Sequence, residues 1–208
     1  MVFFPPIPDD SPSFGDGRSS KGEHMCKIAA LAFSLLFALV QPCFGATPDG
    51  TAVETVTLAV PADAAERLYL GIKATAGRFA LSDIAGDILI VEIFSMYCPH
   101  CQRHAPKANE LFAIIEADGK LKGRVKLIGI GVGNSAYEVG FFKKKYKIPF
   151  PLFDDTGSVL LGRLEGIRTP TFFAFKKTGG RFKAFFVEQG PHDDPRGFLD
   201  RVLMALPK

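Results

Sequence analysis

An apolar run that ends in two closely spaced cysteines constrains the fold of this 208-residue chain more than any other feature. Residues 88–94 are apolar except for Glu92, as expected of a buried central strand. The motif Cys-Pro-His-Cys follows at 98–101 and is predicted to open a helix. Its first sulfur would then lie at the helix N-terminus, where backbone N–H groups and the helix dipole stabilise a thiolate. We therefore expect a redox site at this junction.

The other two cysteines, Cys26 and Cys43, lie in a segment with the features of an export signal. The apolar stretch at 28–40 has the length of a signal-peptide core and is too short to span a bilayer. Small residues before Ala46 favour cleavage at that point. We predict a signal peptide at 25–45 and a mature chain in the periplasm or an equivalent extracytoplasmic compartment.

Residues 1–24 precede that signal and are rich in proline and serine, without periodicity. Because a signal begins with its charged region, we expect translation to start at Met25. Residues 1–24 would then be untranslated; otherwise they are a disordered extension. The cleaved chain keeps Cys98 and Cys101 alone, which leaves no disulfide framework to build. We therefore expect this pair to react rather than to staple the fold.

The sequence after the signal alternates strand and helix patterns, which predicts one α/β domain at 66–208. A small, polar segment at 46–65 is predicted to be a linker. Strands are predicted at 88–94, 125–132, 171–175 and 182–187, and helices at 99–117, 136–146 and 158–164. A last helix, capped by Asp193 or Asp194, is predicted to end at Leu206.

The charge of the chain is mild, with a net value of +3, and gives no reason to expect nucleic acid as a partner. One basic cluster, Lys143, Lys144, Lys145 and Lys147, falls beside aromatic residues at helical spacing. It is expected to be a solvated helix face, with binding of an acidic protein as the alternative.

Residues 70–208 resemble the thioredoxin superfamily, and within it the exported bacterial thiol-disulfide oxidoreductases of the TlpA and ResA type. The segment at 81–87 is similar to the family's entry into its first core strand, Pro106 lies where thioredoxins carry a helix-kinking proline, and 168–173 resembles the cis-proline segment. The resemblance implies a thioredoxin-like α/β fold, with a central mixed sheet flanked by helices and a TlpA-type extra strand and helix at 125–147. It also implies a role such as cytochrome c biogenesis.

Two residues of the motif depart from that family. Tyr97 and His100 stand where the family usually has Trp before the first cysteine and Pro before the second, and the active site instead resembles that of the DsbA disulfide oxidases. We expect the His100 imidazole to stabilise the Cys98 thiolate, which would make the disulfide more oxidising. The scaffold therefore favours a reductase, whereas the dipeptide favours an oxidase.

Roles in the reaction are predicted for the two cysteines and for Glu92. Cys98 is the predicted nucleophile and Cys101 the resolving thiol, and the alternatives are a structural disulfide or half of a zinc site. Glu92 lies where thioredoxins and DsbA carry a buried acid, so it is predicted to relay the proton of Cys101; the alternative is a surface carboxylate. His104 is expected to be an ordinary surface or half-buried histidine, and the alternative is that it tunes the site.

Substrate binding is assigned to residues on both sides of the thiols. A cis bond before Pro170 would expose the backbone of Thr169, so that an extended substrate could pair with it beside Cys98. Tyr97 is expected to form a platform next to the thiol. The expected partners are cysteine-containing substrate proteins and a membrane protein that recharges the pair, and the chain itself is expected to be a monomer, held at the membrane only by an uncleaved signal.

No organic cofactor or metal is expected besides the redox-active Cys98–Cys101 disulfide. The competing class is a metallochaperone in which the two thiols bind Cu(I), with His192 as the distant ligand. Exported copper chaperones of this fold generally space their cysteines one residue further apart. A peroxidase is disfavoured, because peroxiredoxins place a lone cysteine after Thr-x-x and no such triplet precedes Cys98.

Overall fold

A computed structural model of the chain describes residues 50–164 and 166–208. The strands within those residues are β1 (Thr57–Ala59), β2 (Arg78–Ala80), β3 (Ile88–Phe94), β4 (Val125–Gly131), β5 (Leu152–Asp154), β6 (Thr171–Thr178) and β7 (Arg181–Gln189). The α-helices are α1 (Thr51–Glu54), α2 (Ala64–Leu70), α3 (Pro99–Ala117), α4 (Ala136–Tyr146), α5 (Val159–Arg163) and α6 (Pro195–Met204). The predicted signal peptide at 25–45 and the segment at 1–24 lie outside the described residues.

β3 lies at the centre of a five-stranded mixed sheet with the order β5-β4-β3-β6-β7. β3 runs parallel to β4 and antiparallel to β6, while β5 is parallel to β4 and β7 is antiparallel to β6. Every residue of β3 is buried, because a central strand in this arrangement is covered on both faces. The predicted α/β class with a central mixed sheet is confirmed.

The two faces of β3 pack against different layers. Ile90 and Phe94 join an apolar cluster with α3, α4 and α6, whereas Val91 and Ile93 pack on the opposite face with β1, β2 and α5. Because strand side chains alternate with a period of two, Glu92 belongs to the face of Ile90 and Phe94. The strand therefore directs its single acid toward the α3 layer.

The predicted helices at 99–117 and 136–146 have the bounds of α3 and α4. Pro99 occupies the first turn of α3, where its missing N–H is not needed, and Pro106 lies inside the helix. The Asp194 side chain caps α6, which ends at Met204, before the expected Leu206. No helix within the two described ranges is both long and apolar enough to cross a bilayer.

The prediction of a linker at 46–65 is wrong for residues 50–65, the part of this segment that the structure describes. Residues Thr51–Glu54 form α1, and Thr57–Ala59 form β1, which pairs antiparallel with β2. Val53 and Leu58 are 0% and 2% exposed and join the apolar cluster on that side of the sheet. Two apolar anchors and the backbone hydrogen bonds from β2 are enough to fold a segment whose composition is otherwise that of a linker.

Candidate active site

Cys98 lies immediately before the first turn of α3, where the chain leaves β3. Its backbone is extended, with φ −79° and ψ 116°, and the residue is half-buried. Its Sγ lies 3.1 Å from the carbonyl oxygen of Thr169, to which the protonated thiol donates. Cys98 and Cys101 are both free thiols in this structure. The nucleophile predicted from the motif is therefore accessible at the N-terminus of a helix.

The pKa of the Cys98 thiol lies below its usual value. Burial raises this pKa, but hydrogen bonds to the sulfur outweigh that effect. The side chain of Thr169 makes the largest contribution, followed by the backbone and thiol of Cys101 and the backbone of His100. The backbone donors belong to the first turn of α3, where N–H groups have no partner within the helix. The helix terminus thus favours the thiolate.

Cys101 has the opposite electrostatic character. It is 0% exposed and packs in the apolar cluster under α3. Burial raises the pKa of its thiol far above the usual value, a backbone hydrogen bond involving Ser95 offsets part of that effect, and the charge of Glu92 raises the pKa further. Because the thiolate is the reactive form, Cys98 is suited to attack a substrate, and Cys101 can react only when its proton is removed.

The segment before β6 contacts both thiols. The Thr169–Pro170 peptide bond is cis, Pro170 is buried, and its carbonyl accepts a 2.8 Å hydrogen bond from the N–H of Gly190. The Thr169 side chain interacts with the sulfurs of both Cys98 and Cys101. The structure therefore brings Thr169 and Pro170 to the cysteines, and their role in substrate binding stays a prediction.

Glu92 and His104 form a buried contact behind the resolving thiol. Glu92 is 5% exposed, so the alternative of a surface carboxylate is excluded. The expectation that His104 is an ordinary surface or half-buried residue is wrong: it is 3% exposed, and its Nδ1 lies 3.7 Å from Oε1 of Glu92. Residues three apart share a helix face, so burial of Cys101 turns His104 toward the sheet as well.

His100 is exposed, and its Nδ1 lies 3.1 Å from Nη2 of Arg103. A guanidinium is only a donor, so Nδ1 accepts in this arrangement. The effect of His100 on the sulfur of Cys98 comes here from its backbone. Stabilisation of the thiolate by the imidazole stays a prediction.

Side chains that the sequence did not single out fix the loop between β3 and α3. Oδ1 of Asn134 accepts a 2.8 Å hydrogen bond from the N–H of Met96, whose carbonyl accepts a 2.7 Å bond from Gln102. In the sequence, the one feature that points to Asn134 is a polar residue soon after an apolar predicted strand.

Tyr97 is 64% exposed, and its hydroxyl donates to Glu138 in the first turn of α4. Its role as a platform for the substrate stays a prediction.

Metal-ligating side chains do not converge on the thiols in the part of the chain that the structure describes. No group of three or more His, Cys, Asp or Glu side chains there could hold a metal ion. His192, the distant ligand of the Cu(I) alternative, is buried and stacks on Phe198 with ring centroids 4.2 Å apart. Burial, together with the neighbouring His104, lowers the pKa of His192 to about 3. At neutral pH, His192 is therefore an uncharged ring of the core.

Comparison with known sequences gives consistent matches. The AhpC/TSA family model matches residues 61–187, more than half of the chain. The thiol-disulfide oxidoreductase ResA of Bacillus cereus is 24% identical over 125 residues, which cover 60% of this chain and 69% of that protein. ResA of Geobacillus kaustophilus is 26% identical over 126 residues, which cover 61% and 68%. The predicted resemblance to ResA-type thiol-disulfide oxidoreductases is confirmed.

Solved structures share the fold. A thiol:disulfide interchange protein described as DsbE from Chlorobium tepidum matches with a TM-score of 0.51 and 20% identity, over 74% of this chain and 95% of that one. The thioredoxin domain of a thiol-disulfide oxidoreductase from Bacteroides vulgatus matches with a TM-score of 0.51 and 13% identity, over 75% and 98%. Both likenesses confirm the predicted thioredoxin-like fold.

Proposed function

The chain belongs to the AhpC/TSA family, and from that premise we propose that it is an extracytoplasmic thiol-disulfide oxidoreductase acting on cysteine-containing proteins. One observation carries the proposal: an accessible cysteine with a lowered pKa, Cys98, lies one helical turn from a buried cysteine with a raised pKa, Cys101. This asymmetry separates an attacking thiol from a resolving thiol.

The reaction uses the two sulfurs in succession. The Cys98 thiolate attacks a disulfide of the partner, a mixed disulfide forms, and one partner sulfur leaves with the electron pair of the broken bond. Cys101 then loses its proton and attacks Cys98, which releases the second partner sulfur. The partner gains two electrons, and the chain ends with a Cys98–Cys101 disulfide. Oxidation of a partner is the same path in reverse.

The partner's chain would lie along a groove beside the thiols. That groove is lined by His100, Arg168, Thr169, Gln189, Gly190 and Pro191. Thr169 meets the sulfur of Cys98 at 3.1 Å through its carbonyl, so a substrate cysteine bonded to Cys98 must lie next to this segment. Thr169 and Pro170 are accordingly the proposed substrate-binding residues, together with Tyr97, which is exposed on the loop before Cys98.

Reduction of partners is the preferred direction, because the scaffold resembles that of reductases. The alternative, a disulfide-forming oxidase, is favoured by the lowered pKa of Cys98, since a stable thiolate makes the disulfide more oxidising. Equilibration with glutathione decides between them. A potential near about −270 mV, that of thioredoxin, supports the reductase, and one near about −120 mV, that of DsbA, supports the oxidase.

The location and partners are part of the proposal. The apolar segment at 28–40 and the single remaining cysteine pair support export, and a membrane protein would recharge the pair after each turnover. The mature chain would act as a monomer, without a metal or organic cofactor.

Trapping of mixed disulfides tests the proposed function. Cys101→Ser should accumulate adducts with a disulfide-bonded peptide, because no thiol remains to resolve them, whereas Cys98→Ser should form none. The adducts are counted by mass spectrometry, with the double variant as the control. Adducts with Cys98→Ser alone would reverse the two roles, and unimpaired exchange in both single variants would overturn the function.

A further inference from the structure

A buried polar cluster behind Cys101 includes two histidines that have no role in the disulfide exchange described so far. The cluster, called here the His-Glu cluster, consists of Glu92 of β3, His104 of α3 and His192 of the segment between β7 and α6. All three are at most 5% exposed. The ring nitrogens of both histidines have no hydrogen-bond partner in the structure.

The sheet register places this cluster next to the resolving thiol. Glu92 and Phe172 are cross-strand neighbours, and the ring of His104 lies edge-on to Phe172 with centroids 5.2 Å apart. Nδ1 of His104 lies 3.7 Å from Oε1 of Glu92, and the charge of Glu92 also acts on the thiol of Cys101. Glu92 therefore faces both the resolving thiol and the imidazole.

His104 lies close to the surface on its other side, although both of its ring nitrogens are buried. It lines a groove together with His100, Arg103, Lys107, Pro191 and Asp193. The groove is open to water, whereas Glu92 lies inside the core. His104 thus lies between the buried acid and this groove.

We propose that His104 is a positioning residue that takes the Cys101 proton from Glu92 and releases it to this groove during the resolving step. The proposal rests on the proposed function. The Cys101 proton passes to the Glu92 carboxylate as Sγ attacks Cys98, and the partner sulfur leaves with the electron pair of the broken disulfide. Glu92 then protonates Nδ1 of His104, and the imidazolium loses a proton from Nε2 to water that enters from the groove. The 3.7 Å separation closes to hydrogen-bond distance by a shift of about 1 Å.

Groups of both charges face His104. The groups that face it are Glu92 from β3, His192 and Asp193 from the segment before α6, and His100, Arg103 and Lys107 from its own helix. Burial keeps His192 neutral, because it lowers the pKa of that residue to about 3.

Stepwise kinetics with His104→Phe test the proposal. The substrate is an unsymmetrical peptide disulfide whose first half is released by attack and whose second half is released by resolution. Loss of the imidazole should slow the second release by about 10-fold or more, leave the first unchanged, and remove one ionisation from the pH profile of resolution. The matched control is His192→Phe, which changes the neighbouring buried imidazole and should leave both releases near the wild-type rates.

A double-mutant cycle shows whether His104 acts through Glu92. If it does, Glu92→Gln combined with His104→Phe resolves no more slowly than Glu92→Gln alone. Equal slowing by His104→Phe in both backgrounds, or an unchanged pH profile, overturns the proposal. If His104→Phe does not fold, His104→Asn is used, since its amide can form hydrogen bonds but does not carry the proton, and the same slowing is expected. Absence of the first release from the wild-type protein would instead overturn the proposed function.

Discussion

The side chain of Thr169, in the segment before β6, affects the pKa of both thiols, and Thr169→Val removes its hydroxyl while keeping a branched side chain. The Thr169 side chain lowers the pKa of Cys98 and opposes the rise in the pKa of Cys101. The backbone carbonyl that meets the sulfur of Cys98 at 3.1 Å remains in the variant. We therefore expect Thr169→Val to raise the pKa of Cys98.

The size of the effect follows from the loss of one hydrogen bond to a charged group. Such a bond contributes about 1.5–3 kcal/mol, and one pKa unit corresponds to about 1.4 kcal/mol. Because Cys98 is half-buried, water replaces part of the lost bond, so we expect a rise of about one pKa unit. A less stable thiolate disfavours the reduced form. The couple should then become more reducing by at most about 30 mV.

Ultraviolet absorbance of the thiolate against pH measures this pKa, and equilibration with glutathione measures the potential. The matched control is Thr171→Val, because the Thr171 hydroxyl donates at 2.5 Å to the carbonyl of Arg168 in the same segment. This control should lower stability without changing the Cys98 titration. An unchanged pKa in Thr169→Val, or an equal rise in Thr171→Val, would refute the reasoning.

Two further predictions concern His100 and His192. His100→Pro removes both the imidazole and the backbone N–H near the Cys98 sulfur, whereas His100→Ala removes the imidazole alone. We expect the proline variant to raise the pKa of Cys98 and to make the couple more reducing by tens of millivolts, with a smaller shift in the alanine variant, measured by the same two titrations. Folding lowers the pKa of His192 from 6.5 to about 3, so the unfolded chain binds more protons between these values. The free energy of unfolding should therefore fall as the pH drops from 6.5 toward 3, by at most about 1.4 kcal/mol per pH unit, and urea unfolding should show a flatter profile in His192→Phe.

For each of these two predictions, one outcome would contradict the reasoning. Equal shifts in His100→Pro and His100→Ala would assign the effect on Cys98 to the imidazole and not to the backbone. A profile of unfolding free energy against pH that is identical in His192→Phe and in the wild-type protein would show that the buried ring does not account for the loss of stability in acid.

The central elements could be predicted because their signals are local. A run at 88–94 that is apolar on both faces specifies a central strand, and the motif with its prolines specifies the start of α3. The prediction of a linker at 46–65 was wrong because the burial of this segment depends on β2, which is distant in sequence. His104 was misjudged for a related reason, since the rings that pack on it, Phe172 and His192, are distant in sequence and are brought near by the fold.

The conflict between a reductase scaffold and an oxidase dipeptide has a physical basis in the main chain. Where the family usually has proline before the second cysteine, the backbone at that position has no N–H to donate. His100 restores this group, and its backbone helps to lower the pKa of the Cys98 thiol. The imidazole, meanwhile, is engaged with Arg103 at 3.1 Å. The dipeptide can therefore move the couple toward an oxidising potential through an added backbone donor, whether or not the imidazole contributes.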